Sequence, residues 1–384
     1  MYSVYQHWDP LKVCVVGRSY PPEFYSWIEK PAVRSLFEKI AIETEEDYQN
    51  IIKKLNEFGV EVVRPDLPSE SFVNGKFVPP PMTPRDYTVV IGQTFYTNFE
   101  YQAVSSFVDF YNNVKDPSWP DCTRFADFKH LPQHIQDECI NVHGLSQYTR
   151  VHRQNTHKCY DNIYKKIEAQ GNQIVHGLDE KINGAMVSRI GRDLYFGTMN
   201  YTDNNTDFLE LVNGEFTKTR NHIVNTGGHG DGTYCPVCPG LIISLKDVPT
   251  YANTFPGWEV VYLPGQSWAM VDDFLKLKEK NRGKWWIPGF EHDQDVVDTV
   301  EQWLGHWTGY VEETVFDVNM LIIDPKNVMM FNYNKQVFDA LDRYGITPHV
   351  VPFRHRYFWD GGIHCVTSDL HREGTMQDYF PGRK

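Results

Sequence analysis

The chain contains no apolar stretch approaching the length of a membrane span, and its basic residues never gather into a run. The first absence argues against a helix that crosses a bilayer. The second, with a formal net charge of −13, argues against a nucleic-acid or anionic-membrane surface. The opening residues Met1 to Pro10 lack a basic region followed by an apolar core, so no secretory signal is expected. Seven cysteines scattered over 384 residues are an odd, dispersed set, not a disulfide framework. Reduced thiols in the cytoplasm are the simplest expectation. Also missing are the phosphate-binding GxxxxGK[ST] loop, a GxGxxG after a strand, the HExxH zinc helix and the GxSxG elbow. Nucleotide-dependent and serine-hydrolase chemistry lose their support, and no cofactor is expected.

One CxxC is present, Cys235-Pro236-Val237-Cys238. Structural zinc needs about four ligands, usually from two such pairs. A redox CxxC would open a helix, whereas this one runs into the apolar Leu241-Ile242-Ile243. Two inert strand cysteines are expected, and no metal. Hydrophobic content of 41% and aromatic content of 14% supply a sizeable core.

A unit of helix, glycine stop and strand recurs along the chain. A helical pattern over Ala32 to Phe58 ends on Gly59 and leads into the strand Val60 to Val63. Asn162 to Gln170 ends on Gly171 before Gln173-Ile174-Val175, and Val337 to Tyr344 ends on Gly345 before Ile346 to Val351. A degenerate copy is Gly257 followed by Trp258 to Pro264. Polar segments in the loops that follow would cluster about one axis if the copies close into an array: Arg85-Asp86, Asn183-Gly184-Ala185 and Gly362-Ile363-His364-Cys365. The polar stretch at roughly 115–157 interrupts this pattern and reads as an insertion.

Three stretches could do chemistry. In Gly361-Gly362-Ile363-His364-Cys365-Val366-Thr367, paired glycines precede a cysteine at the mouth of a strand, a place where a thiol can face a pocket. A buried structural cysteine is the plainer reading. His229-Gly230-Asp231-Gly232-Thr233-Tyr234 sets a histidine and an aspartate two apart, which extended backbone would point to one face. A self-satisfied polar turn is the alternative there. Arg85-Asp86 is delivered by the stiff Pro79 to Pro84 segment onto the strand Tyr87 to Ile91.

In family order, Trp8-Asp9-Pro10-Leu11 with Val15-Val16-Gly17, Pro84-Arg85-Asp86, Ile190-Gly191-Arg192-Asp193, His229 to Tyr234, Asn319 to Asp324, and Phe353-Arg354-His355 with Gly361 to Gly374 resemble the glycine/inosamine amidinotransferase family of the guanidine-modifying pentein superfamily. The resemblance implies an α/β fold, a five-module propeller with pseudo-fivefold repetition, formed as a single catalytic domain over 1–384. It implies an amidinotransferase that moves the amidino group of L-arginine to a primary amine through an amidino-cysteine, releasing ornithine. In that reading Cys365 is the nucleophile, His229 the acid and base, and Asp86 and Asp231 grip the guanidinium. Arg85, Asn319 and Gly228 fall among the substrate-contacting residues. The partners implied are small-molecule substrates and, as in many relatives, a second copy in a homodimer.

One departure stands out. The family places a carboxylate behind the histidine, ten residues before the aspartate of its GRD block, and that position is Asn183 here. An amide can orient an imidazole but brings no charge, and the comparable change in a serine-protease triad costs about 10⁴ in rate. Asn183 is therefore carried as a catalytic candidate with Asp179 or Glu180 as substitutes. Two alternatives stay open: a deiminase-type hydrolase giving citrulline, and a catalytically weakened arginine-binding pentein.

Overall fold

A helix followed by a strand recurs five times among the described residues, four times with a left-handed glycine between them, and each copy completes one small three-stranded sheet. The computed structural model describes residues 1–73, 76–97, 111–112, 114–121, 131–141, 158–176, 182–198, 206–226, 229–245, 251–263, 287, 289–290, 293–304, 317–359 and 361–383. In the first sheet β1 (Leu11–Val16) pairs in parallel with β2 (Glu61–Val63) and antiparallel with the chain's last strand, β17 (Thr367–Arg372). A two-residue-stranded hairpin follows, β3 (Phe72–Val73) with β4 (Lys76–Phe77). The other four sheets repeat one plan, an antiparallel hairpin whose second strand also takes a parallel partner. They are β5 (Thr88–Ile91), β6 (Thr94–Thr97) and β7 (Gln173–His176); β8 (Val187–Ile190), β9 (Asp193–Thr198) and β10 (Arg220–Asn225); β11 (Tyr234–Cys238), β12 (Leu241–Ser244) and β13 (Glu259–Tyr262); and β14 (Leu321–Asp324), β15 (Asn327–Met330) and β16 (Thr347–Val350).

This is the five-module α/β arrangement expected from the motifs. Burial falls from one side of each sheet to the other: β8 and β11 are buried throughout, whereas β13 and β16 are mostly half-buried or exposed. The inner strands β5, β11 and β14 are mainly apolar because both of their faces are covered, whereas β8 and β17 carry buried polar and charged side chains. The outer, parallel strand of each sheet follows a helix. The 27-residue helix α1 (Pro31–Glu57) covers the first sheet with Val33, Phe37, Ile40, Tyr48, Ile51 and Leu55, a stripe at helical spacing. It stops before Gly59, and the equivalent glycines Gly171 and Gly345 share its left-handed backbone, with φ of +71°, +77° and +67°.

The inner strands β17, β5 and β8 are fastened by buried ion pairs around Asp369. That carboxylate meets Arg85 at 2.9 Å, Arg189 through both oxygens at 2.8 Å, and Arg372 at 2.7 Å. Arg189 also donates to the Val90 carbonyl at 2.8 Å, so one side chain ties three sheets. Burial alone would push the Asp369 carboxyl up, but Arg189, Arg85 and Arg372 hold it well below the usual carboxylate range. Most of the polar stretch at 115–157 lies outside the described residues; within it, Gln133–Asn141 is a helix.

Candidate active site

The candidate residues sit in or beside the short segments that precede the inner strands of the five modules. Pro84–Asp86 is a 3₁₀ turn before β5, and Gly230–Gly232 is another before β11. Asn183 opens the turn at 184–186 before β8, Asn319 precedes β14, and Cys365 lies in the turn at 363–366 before β17. His229 and Asp231 therefore do not alternate on extended backbone as the sequence suggested. A 3₁₀ turn swings the Asp231 side chain back toward the centre, while His229 stands at the turn's entry with φ −57° and ψ 133°.

Cys365 is half-buried and held by Asn319. The Asn319 Nδ2 donates to Cys365 Sγ at 3.1 Å and to the Asp231 carbonyl at 3.2 Å, and its Oδ1 accepts from the backbone N–H of His364 at 2.8 Å and of Cys365 at 3.3 Å. Gly362 is obligatory here: a Cβ on it would lie 2.2 Å from Asn319 Oδ1. The Cys365 thiol donates to Asp231 Oδ2 at 3.7 Å, which lies 2.8 Å from His364 Nδ1. The other oxygen, Asp231 Oδ1, is buried and has no hydrogen-bond partner among the described residues. His229 Nδ1 stands 3.7 Å from Asp86 Oδ1.

Two carboxylates, Asp231 and Asp86, set the electrostatics of this group. Burial, then the charges of Asp231 and Asp86, push the Cys365 thiol well above its ordinary range, against the opposing Gly362 and Asn319 hydrogen bonds. Burial raises Asp231 to about 6; His229 opposes that rise and Asp86 adds to it. A guanidinium placed between the two carboxylates would satisfy both and lower the cost of a thiolate beside them.

Two of the residues read from the sequence act differently from the expectation. Arg85 was expected to touch substrate, but it is fully buried and turned inward to Asp369. Its Nε donates to the His364 carbonyl at 2.8 Å and the Thr367 carbonyl at 3.0 Å, so it supports the cysteine turn from below. Asn183 was expected to orient the imidazole. Its Oδ1 instead accepts the Ala185 and Met186 N–H groups at 3.0 Å, while its buried Nδ2 has no partner among the described residues. Gly228, Asp179 and Glu180 lie outside the described residues. Cys235 and Cys238 are buried in β11, where burial raises their thiols to about 12 and about 11. His364, which the sequence reading passed over, is central to the site; its only signal was its place beside Cys365.

A ring of small sheets with catalytic-type side chains in the turns before their inner strands defines a pentein fold. Known proteins agree. The chain is similar to the mitochondrial glycine amidinotransferase of Gallus gallus, 24% identical over 98% of this chain and 84% of that protein. It is also similar to the L-arginine:L-lysine amidinotransferase of Pseudomonas savastanoi pv. phaseolicola, 21% identical over 54% of this chain and 49% of that one. Among solved structures, the inosamine-phosphate amidinotransferase of Streptomyces griseus superposes with a TM-score of 0.61 at 15% identity, covering 99% of both chains. SxtG, an amidinotransferase from Microseira wollei, superposes with a TM-score of 0.59 at 16% identity, again over 99% of both. No family model matches the chain. The resemblance to the amidinotransferases of the pentein superfamily is thus borne out along nearly the whole chain.

Proposed function

We propose that the protein is an amidinotransferase that takes the amidino group of L-arginine and passes it to a primary amine. The observation that carries this reading is a cysteine sulfur 3.7 Å from a buried carboxylate whose second oxygen has no partner among the described residues. Asp86 and Asp231 take the guanidinium nitrogens, and the bound cation offsets the charge that keeps the thiol protonated. His229 accepts the thiol proton. The Cys365 sulfur attacks the guanidino carbon, the bond from that carbon to the δ-nitrogen breaks, and His229 returns the proton to the departing ornithine amine. The amidino-cysteine is itself cationic and stays between the same carboxylates. The acceptor amine then loses its proton to His229 and attacks the same carbon, the carbon–sulfur bond breaks with its electron pair going to sulfur, and His229 returns the proton to that sulfur to restore the thiol. The two steps share one geometry, so a single set of turns serves both.

Six cysteines are free thiols among the described residues, in keeping with a reducing compartment, which we take to be the cytoplasm. Among the described residues no helix is long and apolar enough to cross a membrane.

The test is incubation with arginine and a panel of primary amines. Acceptor-dependent ornithine release, with an amidino adduct on Cys365 by mass spectrometry, is the expected result. Citrulline formed without an acceptor would replace transfer by hydrolysis. Cys365→Ala should abolish both ornithine and adduct with the fold unchanged by circular dichroism; ornithine formed at the original rate would remove Cys365 from the chemistry.

A further inference from the structure

The residue beside the nucleophile has an assignment of its own. His364 is buried, and its Nδ1 lies 2.8 Å from Asp231 Oδ2. It touches the only oxygen of Asp231 that the thiol also reaches, and leaves Oδ1 unclaimed among the described residues. Its backbone is fixed on both sides: the N–H is held by Asn319 Oδ1, and the carbonyl by Arg85 Nε. Behind the ring lies a cavity of about 10 Å³, bordered also by His7, Ser188, Tyr234 and Arg372, with room for at most one water. The His7 ring packs against it at 5.8 Å between centroids.

We propose that His364 is a positioning residue for Asp231: its neutral imidazole donates Nδ1–H to Oδ2, keeps the buried carboxylate ionised, and thereby presents Oδ1 to the incoming cation. This rests on the reading of Asp231 as a cation anchor. The tautomer follows from the surroundings. The titratable groups facing His364 are Arg85, Arg189, Asp369, His7 and Asp231, and burial with the arginines holds the imidazole well below its ordinary range, hence neutral. A neutral imidazole beside an ionised carboxylate must carry its proton on the nitrogen that faces it. The groups facing Asp231 are His229, Asp86, Arg85, Cys365 and His364. Among these, His364 gives the shortest hydrogen bond to the carboxylate.

The geometry sorts three substitutions. The Asn amide nitrogen takes the place of Nδ1, so His364→Asn retains a donor to Asp231. The Gln amide takes the place of Nε2, so His364→Gln does not, and His364→Leu removes both. The readout needs no substrate: the rate of Cys365 alkylation by iodoacetamide between pH 5 and 9. The logarithm of that rate should rise with pH, flatten where Asp231 ionises beside the thiol, and rise again. The flattening is expected near pH 6 in the wild type. It should move up by at least about one pH unit in the Leu and Gln variants, and stay within about 0.3 units in the Asn variant. The same displacement should appear in the acid limb of kcat/KM for arginine. Flattening at the wild-type pH in the Leu and Gln variants, or an equal displacement in all three, overturns the proposal. If the Leu variant does not fold, the comparison of Asn with Gln carries the same two outcomes. An absence of arginine turnover in the wild type would overturn the proposed function alone, because the alkylation profile reports Asp231 directly.

Discussion

Asn183 and Asp86 sit in equivalent turns of neighbouring sheets, yet only Asp86 brings a charge to His229. The loss of a carboxylate at 183 looked like a weakness while the imidazole was assumed to depend on that position. Its oxygen is occupied by two backbone N–H groups, so residue 183 shapes a turn, and Asp86 is the carboxylate 3.7 Å from the imidazole. Asn183→Asp keeps both acceptor bonds and should change kcat for ornithine release by less than about tenfold, whereas Asp86→Asn should lower kcat/KM by at least about a hundredfold. A rise beyond tenfold in the first variant would make residue 183 the missing partner after all. Gly362 gives a sharper test of placement. A methyl group there must displace Asn319, and with it the amide that holds Sγ. Gly362→Ala should cost about 10² in kcat/KM, as misplacement of a reacting group by about 1 Å does, with little change in urea midpoint. Equal losses of activity and stability would point to a damaged fold.

The elements explain which parts of the site could be read in advance. Helices such as Pro31–Glu57 and Lys335–Arg343 have periodic apolar faces and glycine stops, so both were visible as patterns, to within a residue or two. The unit made of the helix Thr206–Glu215 and β10 was missed as a repeat. Its only glycine, Gly214, lies within the helix, and no left-handed glycine marks the exit. The 3₁₀ turns were not foreseen either. Their geometry depends on hydrogen bonds across sheets, such as Asp231 N–H to the Ala185 carbonyl, that no local pattern encodes. Arg85 was misplaced for a related reason: a motif gives its neighbour Asp86 and not the carboxylate 284 positions later, Asp369, that draws it inward. That buried pairing makes a prediction at this scale. Asp369→Asn strands three guanidinium groups in the core and should destabilise the protein by about 3–5 kcal/mol, read by urea unfolding. A loss below about 1 kcal/mol would mean the arginines do not need the charge.

Across the whole molecule, the buried titratable groups set a window of stability. His7 and His364 are held well below 6.5 by burial and neighbouring arginines, so the unfolded chain binds two protons below pH 6.5 that the folded chain refuses. Stability must therefore fall as pH drops below 6.5, by up to about tenfold in the folding equilibrium per pH unit for each histidine. Asp231 has the opposite sign. Its folded value of about 6 lies above the ordinary 3.8, so between those limits the folded state holds a proton the unfolded state has lost, and this offsets one histidine. Below pH 3.8 Asp369 adds to the loss, since its folded carboxyl resists protonation. On the alkaline side, Cys14, raised to about 12 by burial, and Cys365 keep their protons while the unfolded thiols release theirs above pH 9, so stability declines again. These three groups together contribute about tenfold per unit between pH 4 and 6, from two histidines less one aspartate. His7 accepts the Arg189 N–H through Nε2 at 3.1 Å, and a glutamine oxygen reaches the same place. His7→Gln should keep that bond, remove one titration, and flatten the slope of urea stability against pH in that interval relative to the wild type. An identical slope in both proteins would show that His7 takes up no proton on unfolding, and the acid limit of the fold would have to be sought outside this buried cluster.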